Sequence, residues 1–353
     1  MLRPSVHWLL AFVPISIATE LLHARPLLVF GAACLAIVPL AALIGRATEE
    51  LAIRSGPRVG GLLNASFGNI TELIIAILLV FAGQFEVVKA SLIGSILGNL
   101  VLVLGAAFLA GGLRFKEQEF NARSAGVHAG SLLLAVMGLL MPALFVGAAS
   151  SATAVQRELV SVGVAAVLIV LYGAALVFTL VTHQHLFHVP TPAEQAEWSA
   201  RAAATVLLAA ALLVGLESEF LVRSLEPAVA QVGISKLFVG LFVVAIIGNA
   251  AEHTSAVVFA IRNQLDIAIE ISFSSSTQIA LFVAPLLVFL SLAAGHPMDF
   301  IFNPFEVIAV ALSTLIVTVV TLDGRTNWLE GLQLVGAYLI MVVSFFFVTL
   351  PAR

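Results

Sequence analysis

Charge is scarce in this sequence. Only 10% of its 353 residues are Asp, Glu, Lys or Arg, against about a quarter in an ordinary soluble domain. Hydrophobic residues make up 61% and the mean hydropathy is +1.12, so the chain must use lipid as its solvent. A single cysteine, Cys34, excludes an internal disulfide and any cysteine-based metal cluster, and packing is the plain reading of it. Lysine occurs three times and never within a G-x-x-x-x-G-K segment. The phosphate-cradling loop of a nucleotide-driven pump is therefore missing, and Asp323-Gly-Arg-Thr is too short a likeness to a phosphorylated-aspartate site. No His-Glu-x-x-His run occurs either, since Glu252-His253 lacks the second histidine of a zinc protease. The pattern is that of a non-enzyme without a nucleic-acid partner.

What the chain does have is apolar length. A spanning helix needs roughly 20 apolar residues, and eleven such stretches fall near 5–22, 26–45, 57–82, 86–112, 124–148, 157–182, 201–222, 234–261, 266–294, 304–322 and 328–350. Polar or Pro/Gly punctuation separates them, as at Ser55-Gly56-Pro57, Gly83-Gln84 and Gly295-His296-Pro297. Met1-Leu-Arg-Pro and the run behind it lack an A-x-A cleavage pattern, which reads as a retained first helix. With the N-terminus inside, ten Lys and Arg residues fall on the cytoplasmic side and six opposite. The expected topology is N-terminus cytoplasmic, C-terminus outside, in a bacterial inner membrane.

Two segments 180 residues apart read almost alike: Gly68-Asn69-Ile70-Thr71-Glu72 and Gly248-Asn249-Ala250-Ala251-Glu252. The same shift pairs Gly60 with Gly240, Ala65 with Ala245, Ala76 with Ala256, Gln84 with Gln264 and Ser95 with Ser275 without a gap. The chain thus divides into an extra N-terminal helix (1–25), a first five-helix repeat (26–182), a linker (183–200) and a second five-helix repeat (201–353). An odd number of spans per repeat turns the second copy upside down in the membrane. The expected fold is all-α, with two inverted repeats bringing Glu72 and Glu252 together near mid-bilayer.

Charge at that depth is costly and points to a task. Gly in a helix interior costs about 1 kcal/mol against Ala, so each Gly-Asn step should loosen its helix and free backbone carbonyls. Carboxylate, amide and carbonyl oxygens suit a hard divalent cation such as Ca²⁺, and the His and Cys ligands of zinc or copper sites are missing. A second polar layer follows each glutamate: Ser95 and Asn99, spaced i, i+4 on one face, and Ser275, Thr277 and Gln278. The linker histidines His183, His185 and His188 read as solvated, and Arg46, Glu49, Glu50 and Arg54 as charge pairs at the membrane boundary. Asp266 and Glu270 fall near another boundary.

Gly68 to Ile74 resembles the first signature of the cation/proton exchangers (CAX family) of the calcium/cation antiporter superfamily, and Gly248 to His253 resembles the second. Gly94 to Gly105, Ser276 to Pro285 and Asn327 to Gly331 agree with it. The resemblance implies eleven spans and Ca²⁺/H⁺ exchange, with Ca²⁺ and H⁺ as substrates and no cofactor. It implies Glu72 and Glu252 as ligands binding metal or protons in turn, Asn69, Asn249, Ser275 and Gln278 lining the site, and His253 tuning it. The family's acidic helix between the halves has no counterpart beyond Glu194 and Glu197. A Na⁺/Ca²⁺-type exchanger and a divalent cation channel are the alternatives, the former set apart by its Gly-Thr-Ser-x-Pro-Glu signature. Oligomeric state is left open.

Overall fold

The computed structural model describes residues 6–149, 151–186 and 196–348. Nearly all of them are helical. Among the described residues eight helices are long and apolar enough to cross a membrane, or nine spans if a bent pair counts as one. In chain order they are α2 (Pro26–Gly56), α3 (Val59–Phe81), α4 (Phe85–Phe115), α5 (Ala122–Ala148), α6 (Ala154–Thr182), α7 (Ala200–Val232), the bent pair α8 (Lys236–Gly248) and α9 (Ala250–Ile261), α10 (Leu265–Ala293) and α12 (Trp328–Phe346). Two shorter apolar helices, α1 (Trp8–Leu21) and α11 (Pro304–Val320), complete the set. Chain length and hydropathy make this an integral membrane protein.

Local chemistry sets several boundaries. Pro26 occupies the first turn of α2, where a missing N–H costs nothing. Capping boxes start α6 (Thr153 with Gln156), α11 (Asn303 with Glu306) and α12 (Asn327 with Glu330). Gly233, with φ 74°, closes α7 in the left-handed conformation.

Some boundaries differ from those expected. The span placed at 26–45 runs on to Gly56, and the one placed at 201–222 runs on to Val232. The polar end of α7 is held by Arg223 pairing with Glu219 and Glu226 with Lys236, and that of α2 by the chain that enters α7. Arg46 meets Glu197 at 2.7 Å and stacks over the Trp198 ring, Glu50 accepts the Trp198 N–H at 2.9 Å, and Arg54 donates to the Trp198 and Ala196 carbonyls at 2.7 and 3.2 Å. Arg46, Glu50 and Arg54 thus clasp the chain entering α7 rather than pairing with one another. His183 stacks on Phe178, while His188 and Glu194 lie outside the described residues.

The all-α expectation has one exception. β1 (Glu117–Glu119) pairs antiparallel with β2 (Arg325–Asn327), Gln118 opposite Thr326. Arg325 bridges Glu117 and Glu119, and buried Gln118 donates to the Ala260 carbonyl and to Asn263 Oδ1 at the end of α9. This end of the molecule also carries the clasp. At the opposite end Lys89 pairs with Asp299, and Lys236 with Glu226.

Enclosure ranks the helices. The most apolar stretch of α4 is 83% buried and that of α10 is 67%, whereas those of α6 and α12 are 17% and 22%. α4 and α10 therefore form the centre, and α6 and α12 turn most of their surface to lipid. Residues 26–67 pack along α7 more extensively than any other two helices meet among the described residues.

Candidate functional site

Both Gly-Asn steps interrupt their helices. Asn69 leaves helical geometry at φ −104°, ψ 29°, and Asn249 at φ −92°, ψ 14°; α8 and α9 meet there at 61°. The break places Glu72 in the first turn of the helix that resumes at Ile70, and Glu252 in the first turn of α9. Each carboxylate sits at a helix N-terminus, where backbone N–H groups favour negative charge.

The amides and hydroxyls form one network across the molecule. Asn69 Nδ2 donates to Gln278 Oε1 at 2.7 Å, and Asn69 Oδ1 accepts from Ser275 Oγ at 2.7 Å. Asn99 Nδ2 donates to Asn249 Oδ1 at 3.0 Å and to Ser275 Oγ at 2.9 Å; Asn249 Nδ2 donates to Ser95 Oγ at 2.8 Å. Each of these bonds joins the first half of the chain to the second. Buried amides left unpaired would each cost about 1–3 kcal/mol, so the network fixes how the halves meet.

The acceptors left over define where a ligand fits. Glu72 is 8% exposed, and neither of its carboxylate oxygens has a hydrogen-bond partner among the described residues. Asn99 Oδ1 is enclosed and equally unpartnered. Glu72 lines a tight crevice of about 10 Å³ with Ser91, Ser95 and the apolar Ile75, Leu92, Val244 and Ile279. Glu252 stands close enough for the two carboxylates to repel each other, and it is half-buried where Glu72 is buried. Among the described residues no three His, Cys, Asp or Glu side chains gather as a metal cluster. Two carboxylates amid neutral oxygens hold protons or a hard cation, and both carboxylates cannot stay charged and unpaired in so dry a place.

Asn69, Ser95, Asn99, Asn249, Ser275 and Gln278 thus share one hydrogen-bonded network, which Glu72 and Glu252 adjoin without bonding to it. His253 lies to one side: its Nε2 is enclosed without a partner and stands 3.7 Å from where a side chain on Gly98 would begin. Beyond these, the structure adds π-helical turns at Gly98–Val103, Val239–Val244 and Ile279–Val283, which abut the site in α4, α8 and α10. Such turns often accompany functional sites, yet no residue pattern in the sequence announces them. Glu270, placed near a boundary, pairs with His128 at 2.9 Å, and Asp266 accepts the Asn121 N–H.

Known proteins resemble this chain in sequence and in overall fold. Over 96% of its length the chain is 43% identical to a Ca(2+)/H(+) antiporter of Aphanothece halophytica, covering 95% of that protein. It is 42% identical to the Ca(2+)/H(+) antiporter ChaA of Bacillus subtilis (strain 168), covering 95% of this chain and 97% of the relative. The solved structure of native YfkE superposes with a TM-score of 0.86 at 39% identity, over 97% of this chain and 99% of that one. The family described as sodium/calcium exchanger protein matches residues 25–181 and again 202–347. With both halves matched and relatives of such identity along almost its whole length, the chain belongs to the sodium/calcium exchanger protein family.

Proposed function

We propose that this protein is a secondary antiporter that exchanges Ca²⁺ for H⁺ by alternating access, with Glu72 and Glu252 binding metal or protons in turn. The observation that carries this reading is the enclosed Glu72 carboxylate, without a hydrogen-bond partner among the described residues and with Glu252 as its neighbouring charge. Two like charges so enclosed need either protons or a cation. A Ca²⁺ ion brings two positive charges and displaces the protons, and that mutual exclusion couples the two fluxes. The names of the relatives, Ca(2+)/H(+) antiporters, support the choice of ions.

The architecture proposed is eleven spans: α1, then five in each of two inverted repeats, with α8 and α9 counted as one. The doubled family match supports the repeats, and the short helices α1 and α11 supply the two spans beyond nine. α2 and α7, related by the 180-residue shift, are the elements that slide against the core. The N-terminus is cytoplasmic and the C-terminus outside, in the inner membrane of a bacterium, so the proton gradient drives Ca²⁺ out of the cell. Asn69, Asn249, Ser95, Asn99, Ser275 and Gln278 shape the site, and His253 borders it.

Ca²⁺ uptake into inside-out vesicles under an imposed pH gradient tests the reading. Native protein should take up Ca²⁺ only when the interior is acidic, and inverting the gradient should reverse the flux, which a channel would not require. Glu72→Gln and Glu252→Gln should each abolish uptake; full proton-dependent uptake by either variant would remove the ligand assignment.

A further inference from the structure

The first helix break frees the Ala65 carbonyl from its helical partner, and side chains already occupy it. In an unbroken helix the Ala65 carbonyl would serve the Asn69 N–H alone. Here it accepts from Gln278 Nε2 and, at 3.2 Å, from the Tyr172 hydroxyl. Its counterpart Ala245 accepts the Asn249 backbone N–H at 3.1 Å and Asn249 Nδ2 at 2.8 Å. A carbonyl oxygen has two lone pairs, so neither the Ala65 nor the Ala245 carbonyl has one to spare, the latter keeping its helical partner, the Asn249 N–H. Unwound carbonyls at such breaks are what inverted-repeat transporters offer to Na⁺.

Tyr172 is placed for this from outside the network. It reaches in from α6, a helix that otherwise faces lipid, and its ring stacks on Phe282 with centroids 5.1 Å apart. Phe282 belongs to the π-helical turn that follows Gln278. One side chain therefore braces the broken helix of the first half and the π turn of the second.

Resting on the antiport reading above, we propose that Tyr172 is a specificity-determining positioning residue: with Gln278 it saturates the Ala65 carbonyl and so denies that oxygen to Na⁺. With the Ala65 carbonyl closed, the enclosed acceptors still unpartnered around the network include both Glu72 carboxylate oxygens and Asn99 Oδ1. Carboxylates take up either protons or a divalent cation, whereas a weakly charged alkali ion needs the neutral oxygens as well. Tyr172 touches neither glutamate in this arrangement, so its hydroxyl can be removed without altering the ligands.

The test is Tyr172→Phe, which keeps the ring and deletes the hydroxyl, reconstituted in liposomes with Ca²⁺ uptake driven by a pH gradient. Native protein should be indifferent to added Na⁺. The variant should keep proton-driven uptake but be inhibited by Na⁺ in competition with Ca²⁺, with the half-inhibiting Na⁺ concentration lowered about 2- to 10-fold, the span of one lost hydrogen bond. Phe282→Leu, which removes the stacked partner and leaves the hydroxyl, should move Na⁺ sensitivity in the same direction, and it carries the test if Tyr172→Phe fails to fold. Unchanged Na⁺ response in variants that still transport overturns the proposal. Absence of proton-driven uptake in the native protein would instead sink the antiport reading itself.

Discussion

Gly248 lies against the side chain of Glu72: a methyl group on Gly248 would stand 3.0 Å from Glu72 Cγ and 3.4 Å from its Cδ. The glycine of the second signature thereby makes room for the carboxylate of the first. The reverse relationship does not hold, since a methyl on Gly68 would meet the Asn64 carbonyl at 2.7 Å and Gln278 Oε1 at 3.7 Å. The glycines of two closely similar signatures serve different ends in the two halves.

Gly248→Ala should therefore act on ligand binding. The added carbon pushes Glu72 by a few tenths of an ångström, and the expected outcome is a Ca²⁺ KM raised several-fold in a protein of near-native thermal stability. Gly68→Ala meets main chain that cannot swing away, so it should lower the Tm. Transport kinetics set beside thermal unfolding in detergent separate the two. An unchanged KM in Gly248→Ala would show that Glu72 has space to spare.

A tighter glycine lies nearby. A Cβ on Gly94 would fall 2.0 Å from the Leu241 carbonyl, so α4 and α8 cross there backbone to backbone, as small residues allow in membranes. Gly94→Ala should prevent folding, read as loss of a monodisperse peak in detergent. Gly31→Ala, with open space around the new methyl, should have no effect.

The clasp between Arg46, Glu50, Arg54 and residues 196–198 joins the polar end of α2 to the start of α7. Arg54→Ala removes donors from two carbonyls, and exposed contacts of this kind contribute about 0–1 kcal/mol. Stability should hardly change. The Trp198 emission should shift to the red in a chain carrying Trp8→Phe and Trp328→Phe, and Vmax should fall with KM unchanged if α2 and α7 slide as one unit. A KM change without a Vmax change would place the clasp outside that movement.

Most of the site was legible because it is written in side chains the membrane disfavours. Glu72, Glu252 and the amides stand out against apolar surroundings, and the 180-residue spacing pairs them. Helix ends such as those of α2 and α7 were less legible. Arg46, Glu50 and Arg54 look like boundary residues until their partners at 196–198 are seen. The β1–β2 pair is three residues long on each side, too short for an alternating pattern to declare itself. Tyr172 was invisible for another reason: its role depends on a carbonyl more than 100 positions away, and main-chain acceptors leave no mark in a sequence.

If Ca²⁺ and protons compete for the same two carboxyl groups, as proposed, that competition fixes the sign of the pH dependence. When Ca²⁺ binding expels protons, raising the pH removes the competitor, so the apparent KM for Ca²⁺ must fall as pH rises on the binding side. Linkage sets the slope by the number of protons displaced, reaching about two decades of KM per pH unit where both carboxyl groups start protonated. Titration calorimetry of purified protein with Ca²⁺, repeated in buffers of different ionisation enthalpy, counts those protons directly. Between one and two released per ion is the expected result, and Glu252→Gln, if it still binds, should release fewer. A Ca²⁺ affinity independent of pH, with no protons released, would mean that metal and protons occupy separate places, and the exclusion that couples their movements would be gone.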